Sequence, residues 1–554
     1  MRFDNTEPRE TISTTSTIPI TTRTSYDKHL MIHKKVTDLL KTRNAIPDTS
    51  SEPQGSQSNG CRSISRSKCP MYNYVKFWRD PTYKDGCYQS ILRHPLGKNA
   101  KKEEKKFLVF EPDRGGWNNI RMAAETAIVF ALVTGRTLVL PPVMKWYLLD
   151  KSKNDHENHS TFSKFFDLDK IADLVDMISM EDFLKDIAVP GLLKNAKANK
   201  LQNEADVESL LKHHGYNGKL WKYLEEGSYC REWEPGKYFI GFNFEYDAKN
   251  TTNPIKFGSF EDYQLEHPKF ENCKTIQDER LQKFCAHGRK VLNYGDMHHE
   301  RAIFFPGDYR NEYRILTHFY TYLYWNDHHM EHVYKRIVRD RLHYHDDIFC
   351  SAGRLVRLLH EEASKLTGKP IPDKISADRL TGGGNTKKGA TFHAYHIRRG
   401  DFQYEDTRLS AEEIYKQTRH LLDPNVTTLL YIATDEKNKS FFKPFTKDFT
   451  VRFLDDYQKQ AMLGHEHVNQ NYIGMIEQVV AANAHTFIGT PFSTFTGYIT
   501  RMRGYYRDDR YANTFYTMKS QQHILHKNQA NIVGPFWARE FPVAHQQIDD
   551  DNTK

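Results

Sequence analysis

The sequence predicts an α/β protein made of two Rossmann-like, doubly wound parallel-sheet domains that face each other across a cleft. Three observations carry this. Short strand-type apolar runs alternate with helix-length segments in residues 107–142 and again in 391–502. A strand that is followed by a helix returns to its sheet through a crossover, which makes neighbouring strands parallel. A Gly/Lys/Pro-rich stretch at 367–390, with Gly382-Gly383-Gly384 inside it, separates the two regions.

The elements follow in chain order. Residues 1–60 are rich in Ser, Thr, Pro and charge, and bury too little apolar surface to offset the entropy of ordering. Residues 1–65 are therefore read as a disordered basic tail, with order beginning near Pro70. FLVF at 107–110 is the first strand, and EPDRGGW at 111–117 is a turn. Met122, Ile128, Ala131 and Leu132 recur at helical spacing, which predicts a helix over 118–133 ended by Gly135. TLVL at 137–140 is the next strand. This β–turn–α–β unit predicts a right-handed parallel crossover.

Residues 150–300 are charged and aromatic without a strong period, and read as helices and loops inserted into the first domain. From 313 to 360 the pattern is helical again, with YRILTHFYTYLYW its most apolar part. In the second half, strands are predicted at 391–397, 427–433, 450–454 and 486–488. Helices are predicted at 411–422, 438–445, 472–484 and 493–502. The first domain then spans 66–385 and the second 386–545, with a tail at 546–554.

Composition excludes several function classes. The chain has 554 residues, 38% of them hydrophobic and 13% aromatic, enough for two or three domains with a sizeable core. Its net charge is +8, but residues 1–106 hold 20 Lys/Arg against 11 Asp/Glu. That local excess of +9 leaves the rest at −1, so no basic face for nucleic acid is expected. No apolar run approaches the roughly 18 residues of a membrane span. The opening MRFDNTEPRETIST is polar, without the apolar centre of a secretory leader, which fits a cytoplasmic protein or a lost upstream segment.

The seven cysteines include no CxxC pair, so no zinc ribbon is indicated. Cys61, Cys69 and Cys87 fall in the entry region, and Cys273 and Cys285, twelve apart across a charged stretch, could pair in an oxidising lumen. Asn158, Asn250, Asn425 and Asn438 each open an N-x-S/T sequon without deciding the compartment. His298-His299, His328-His329 and His465-Glu-His467 lack zincin spacing, and neither GxxxxGK[ST] nor GxSxG occurs.

Chemistry concentrates in His396-Ile-Arg-Arg-Gly-Asp-Phe402, which follows a buried strand directly. It therefore sits at a strand's carboxyl end, where open α/β sheets bind ligands. Strand alternation puts His396 and Arg398 on one face and Arg399 on the other. Guanidiniums beside Gly400 suit a pyrophosphate, by fixed charge, forked donors and close backbone approach. The plainer alternative is a structural Arg–Asp pair, with Asp401 ending the strand.

His396-x-Arg398-Arg-Gly-Asp401 resembles the H-x-R-(R)-x-D motif of the GDP-fucose protein O-fucosyltransferase superfamily. Asp113-Arg-Gly-Gly-Trp-Asn-Asn-Ile-Arg121, ahead of a helix, is similar to that superfamily's first block. Tyr431-Ile-Ala-Thr-Asp435 is similar to its strand-end Thr-Asp. Ile476-Glu-Gln478 through Phe487-Ile-Gly-Thr490 to Ser493-Thr-Phe-Thr496 resembles its last block. The four come in the family's order between about 107 and 505.

The resemblance implies a GT-B arrangement with an acceptor-side N-terminal domain and a C-terminal nucleotide-sugar domain. It implies inverting, metal-independent transfer of fucose from GDP-fucose to a protein Ser/Thr or glycan hydroxyl, without a cofactor, in the ER or Golgi lumen. Another donor such as UDP-rhamnose, a non-catalytic sugar-binding relative and a cytoplasmic nucleotide-binding regulator are the alternatives.

On this reading Arg398, Asn118 and Asp401 are catalytic. Gly115, Gly116, Asn119, His396, Arg399, Asp435, Ser493, Thr494 and Phe495 bind substrate. Asn118 orients the sugar or acceptor, or caps its helix. Asp435 accepts from a guanine or ribose edge, or caps a loop. Ser493 and Thr494 offer hydroxyls and free N–H groups to phosphate at a helix start, or serve as an ordinary cap. Phe495 packs on a ring or into the core. One branch of the family has a Glu just before the Gly-rich Asn; Gly115, Gly116 and Trp117 stand there instead. Glu111 and Asp113 are out of register, and Asp401 and Asp406 flank the arginines, so no general base is assigned. Asp455-Asp456 is either a strand cap or a metal-binding pair of another glycosyltransferase class.

Overall fold

The computed structural model describes most of residues 105–146, 161–193, 201–230, 238–257, 290–307, 319–372, 389–462 and 470–505, with Cys69, Met71, Tyr74, Val75, Leu149 and 513–515. The expected tail, the Gly382-Gly383-Gly384 stretch, Asp401, the Cys273–Cys285 pair and the proposed domain limits lie outside the described residues.

The strands, in chain order, are β1 (Phe107–Phe110), β2 (Thr137–Leu140), β3 (Met177–Ser179), β4 (Tyr238–Phe242), β5 (Phe244–Tyr246), β6 (Ile255–Phe257), β7 (Lys290–Asn293), β8 (Ala302–Phe305), β9 (Leu323–Trp325), β10 (His393–Ile397), β11 (Leu429–Thr434), β12 (Thr450–Arg452), β13 (Phe487–Gly489) and β14 (Asn513–Phe515). Two larger sheets are parallel throughout. The first has the order β3-β2-β1-β8 and the second β12-β11-β10-β13-β14. In the second sheet the chain steps outward from β10 to β12, then returns to lay β13 on the other side of β10. That reversal is a topological switch point, and it opens a crevice at the carboxyl ends of β10 and β13. The first sheet has the same feature between β1 and β8.

The helices that bear on the site are α1 (Trp117–Thr134), α2 (His328–Arg341), α3 (Asp346–Thr367), α4 (Ala411–Thr418), α5 (Ile473–Ala482) and α6 (Thr494–Gly504). α1 ends where the sequence placed its end, at Gly135 in the left-handed conformation (φ 65°). Its surroundings differ from those of a surface helix. All its residues except Asn119 are buried, because it lies between the first sheet and α6.

One apolar core runs through both sheets. It joins Phe107 and Val109 of β1 to Phe130 of α1, Leu355 of α3, Val479 of α5, and Ala394, Tyr431 and Phe487 of the second sheet. A separate cluster covers the opposite face of that second sheet, where Tyr395, Ile397, Leu430, Ile432 and Ile488 meet Ile414 of α4 with Phe442 and Phe445. Alternation along β10 thus assigns successive residues to different cores, which explains an apolar run without a polar face.

The middle of the chain corrects the sequence reading. Residues 150–300 were expected to give helices and loops, yet β4 and β7 arise there. With β9 they form a three-stranded parallel sheet in the order β7-β4-β9. β9 closes the apolar run expected to be helical: a short helix, Phe319–Tyr322, gives way to Leu323–Trp325. Short apolar runs carry no period that separates strand from buried helix. Pairing decides it here: Leu323, Tyr324 and Trp325 lie in register with Ile240, Gly241 and Phe242 of β4, and Trp325 is 0% exposed among Phe242, Phe319 and Tyr334.

A disulfide the sequence did not suggest joins Cys69 to Cys350 on α3, 281 positions on. The strap beside it lies close on the helix. A Cβ at Gly353 would meet the Met71 carbonyl oxygen at 2.1 Å, and Arg357 Nη1 donates to Tyr74 Oη at 3.0 Å. Among the described residues, no helix is long and apolar enough to cross a membrane.

Candidate active site

The crevice of the second sheet is built by the chain leaving β10. The Arg398 N–H donates to Thr490 Oγ1 (2.9 Å), and that hydroxyl donates to the His396 carbonyl (3.0 Å). These two bonds tie the ends of β10 and β13 together. Asp435, just past β11, accepts from the backbone N–H groups of Arg399 (2.7 Å) and Gly400 (3.1 Å). Both carboxylate oxygens are thereby used to cap the turn, the plainer of the two roles read from sequence.

The two arginines diverge as strand alternation requires. Arg399 Nε donates to Glu436 (3.0 Å), its Nη1 donates to the Leu409 carbonyl (2.8 Å), and its guanidinium lies 4.0 Å over the Phe441 ring. Arg398 turns to the other side, 27% exposed, with Nε 3.9 Å from Asp435 and its guanidinium 5.2 Å over Phe402. Phe402, Tyr404 and Phe492 form a small aromatic cluster there, apart from both cores. Among the described residues, Phe492 is the one non-glycine with positive φ, 59°. Backbone strain of this kind gathers at functional sites.

His396 is drawn inward. It is 6% exposed, its Nδ1 lies 2.7 Å from Thr496 Oγ1, and its ring stacks on Phe495 at 4.4 Å. Burial, then the Arg398 charge, pushes its pKa down to about 3, so the imidazole is neutral at ordinary pH. In this structure it clamps the start of α6 to the end of β10. Ser493 precedes α6, 3% exposed, and makes no side-chain cap bond. Thr494 opens the helix facing the first sheet.

The crevice of the first sheet lies at the ends of β1 and β8. Glu111 accepts from the Gly307 N–H (3.0 Å) and pairs with Arg114 (3.5 Å). Asp113 accepts from the Gly115 N–H (2.6 Å). A Cβ at Gly115 would meet Asn119 Nδ2 at 2.2 Å and Asp113 Oδ1 at 2.8 Å, so a larger residue there would displace the Asn119 side chain from the turn. Gly116 is the residue before α1, which makes Asn118 its second residue rather than its cap.

Two contacts join the crevices. Thr494 Oγ1 donates to Asn119 Oδ1 at 3.1 Å, and Gln478 Nε2 donates to Asn118 Oδ1 at 2.9 Å. Gln478, 0% exposed on α5, also donates to the Phe495 carbonyl (3.2 Å) and accepts from Tyr344 Oη (3.2 Å). Tyr344 in turn accepts from Trp117 Nε1 at 3.3 Å. The asparagines at the start of α1 are thus held against the start of α6 and Gln478 of α5.

A match to the GDP-fucose protein O-fucosyltransferase family spans residues 107–506. The chain belongs to this family. It is a glycosyltransferase. Among solved structures, POFUT1 in its apo form is similar at 12% identity and TM-score 0.29, covering 72% of this chain and 95% of its own. The α-1,6-fucosyltransferase NodZ soaked with GDP-fucose is similar at 14% and 0.31, covering 72% and 92%. Fucosyltransferase NodZ from Bradyrhizobium is similar at 13% and 0.31, covering 72% and 93%. No curated protein sequence matches the chain.

Within this O-fucosyltransferase-family chain, sequence reasoning missed the role of Gln478. Its block was read for the family match, but no short-range signal shows that its amide spans three elements. Tyr344 and Trp117 escaped for the same reason, being 227 positions apart. Asp455 and Asp456 open a helix, Leu454–Met462, where Asp456 accepts from the Phe453 N–H at 2.7 Å and Asp455 lies 3.8 Å from Lys439 Nζ. Among the described residues, no group of three His, Cys, Asp or Glu side chains could hold a metal ion.

Proposed function

We propose that this glycosyltransferase moves fucose from GDP-fucose to a hydroxyl of a protein Ser/Thr or a glycan, with inversion and without a metal. The observation that carries the reading is the joining of two switch-point crevices. Arg398 and the α6 start lie at one, and Asn118 and Asn119 at the other reach that same helix start through Gln478 and Thr494.

The C-terminal unit takes the nucleotide diphosphate. Arg398 meets the phosphates with a forked cation, while the first N–H groups of α6 and the hydroxyls of Ser493 and Thr494 supply neutral donors. Arg399 serves by holding the turn through Glu436. The N-terminal unit is the acceptor side, where Asn118 orients the sugar or the incoming hydroxyl. As the acceptor oxygen bonds to the anomeric carbon, the bond to the diphosphate breaks and its electrons pass to the leaving oxygen, while the hydroxyl's proton passes to water or to the departing diphosphate. Arg398 and the helix start stabilise that charge, as a metal ion otherwise would. Glu111 and Asp113 face the chain's own N–H groups, so neither is assigned as the base. The Cys69–Cys350 disulfide supports work in an oxidising lumen.

Nucleotide release measured across GDP-fucose, GDP-mannose, UDP-rhamnose and other UDP-sugars, with and without EDTA, tests this. GDP-fucose should be consumed preferentially and EDTA should change nothing. Preference for a UDP-sugar would overturn the donor. Loss with EDTA and recovery with Mn²⁺ would overturn the metal-free chemistry and point to Asp455 and Asp456.

A further inference from the structure

The two halves of the site sit on the first turns of α1 and α6, and further in these helices are joined by buried charge. Glu125 of α1 is 1% exposed, and Arg121 and Arg501 are each 0% exposed. Arg501 of α6 donates through Nη1 to Glu125 Oε2 (2.6 Å) and through Nη2 to Oε1 (3.0 Å). Arg121 Nη1 donates to the same Oε1 at 2.8 Å. Aromatic rings complete the cluster. The Arg121 guanidinium lies 3.6 Å over Tyr498, and Arg501 Nε donates to Tyr505 Oη at 3.0 Å.

The spacing makes this cluster a ruler. Asn119 meets Thr494 at the site, and Glu125 meets Arg501 further along the same two helices. At about 1.5 Å per residue, both pairs of points lie about 10 Å apart along their helices. The helices therefore run side by side from the site, fastened at two matching rungs. A slip of one turn, about 5 Å, would separate Asn119 from Thr494.

Stability alone does not account for such a cluster. Burying charges costs desolvation that their attraction only partly offsets, and apolar residues of similar size often serve as well. A bidentate arginine–carboxylate pair has a geometry that apolar packing lacks, since it fixes both translation and rotation.

We propose that Glu125 is a positioning residue for sugar transfer. Through Arg501 and Arg121 it sets the register of α1 on α6, and so holds Asn118 and Asn119 over the donor end of the second sheet in a preformed site. This rests on the reading of Arg398, Thr494 and Asn118 as the transfer site.

The test uses the full chain in two variants. Arg501→Lys keeps the charge and loses the fork. The triple Arg121→Met, Glu125→Leu, Arg501→Met replaces the cluster with apolar side chains. Thermal midpoint, GDP affinity, kcat and donor KM are measured for each. The triple variant should melt within a few degrees of the unsubstituted protein and bind GDP within about threefold. Its kcat should fall on the order of 10²-fold with donor KM little changed, since misplacement by about 1 Å costs that much. Arg501→Lys should lie between. If the triple variant does not fold, Arg501→Lys decides. Full turnover in either folded variant overturns the positioning role, as does a loss of kcat matched by equal losses of GDP affinity and melting temperature. Absence of GDP binding by the unsubstituted protein would sink the donor reading, and this inference with it.

Discussion

At the residue scale, the site depends on which way a side chain leaves its strand. Arg398 and Arg399 are adjacent in sequence, yet one faces the crevice and the other is held by Glu436, Leu409 and Phe441. Alternation made that divergence legible before any coordinates. What the sequence did not show is that Arg399 is engaged by Glu436. Arg398→Lys should cost on the order of 10²-fold in turnover, from about 3 kcal/mol of lost charge-assisted contact. Steady-state rates check this, and near-normal turnover would remove Arg398 from the site. A second residue gives a pH signature. Glu477, on α5, accepts from Tyr431 Oη at 3.0 Å, and burial raises its pKa from 4.5 to about 7. Its carboxyl is therefore protonated more readily in the folded chain than in the unfolded one. The stability it adds is fully present below about 4.5 and is lost as pH rises through about 7. Denaturant midpoints for Glu477→Gln should lack that decline. Parallel curves for the two proteins over the window would contradict the burial.

At the element scale, the reading succeeded where period and punctuation agree. β1, α1 and β2 could be placed from FLVF, the helical spacing of Met122, Ile128 and Leu132, and Gly135. β11 and β13 were legible as strands because apolar runs there follow helices of ordinary length, and β10 because its apolar run follows the Gly/Lys/Pro-rich stretch. β4, β7 and β9 were not, because they are short runs among aromatic and charged residues whose strand character comes from pairing with one another. The plain role read for Asn118, helix capping, fails because α1 begins one residue earlier and Asn118 is turned toward Gln478. This separates the work of the two helix starts. Asn118→Ala should slow transfer while leaving GDP affinity nearly unchanged, whereas Thr494→Ala should weaken GDP by about tenfold, the worth of one good hydrogen bond. Calorimetric titration with GDP, set beside the transfer rate, distinguishes them. Equal loss of GDP affinity in both variants would contradict the division between the units.

At the scale of the whole molecule, the two sheets share one core, and Cys69 and Tyr74 are fastened to α3. The sequence predicted the two sheets from two α/β rhythms. It offered no sign of the disulfide, since 281 positions separate the partners. Removing residues 1–65 keeps the Cys69–Cys350 disulfide and the Tyr74 contact, so the shortened chain should fold, melt within a few degrees of the full chain and retain activity. A melting scan and a turnover assay check this, and a shortened chain that fails to fold would show that the tail docks on the domains. The central claim is that the donor diphosphate rests where β10 and β13 part and α6 begins. A crystal structure of the protein with GDP tests it most directly. The account predicts the diphosphate within hydrogen-bonding distance of the Arg398 guanidinium and the first N–H groups of α6, with Asn118 and Asn119 facing it from α1. GDP bound elsewhere, with Arg398 turned away from its phosphates, would contradict it.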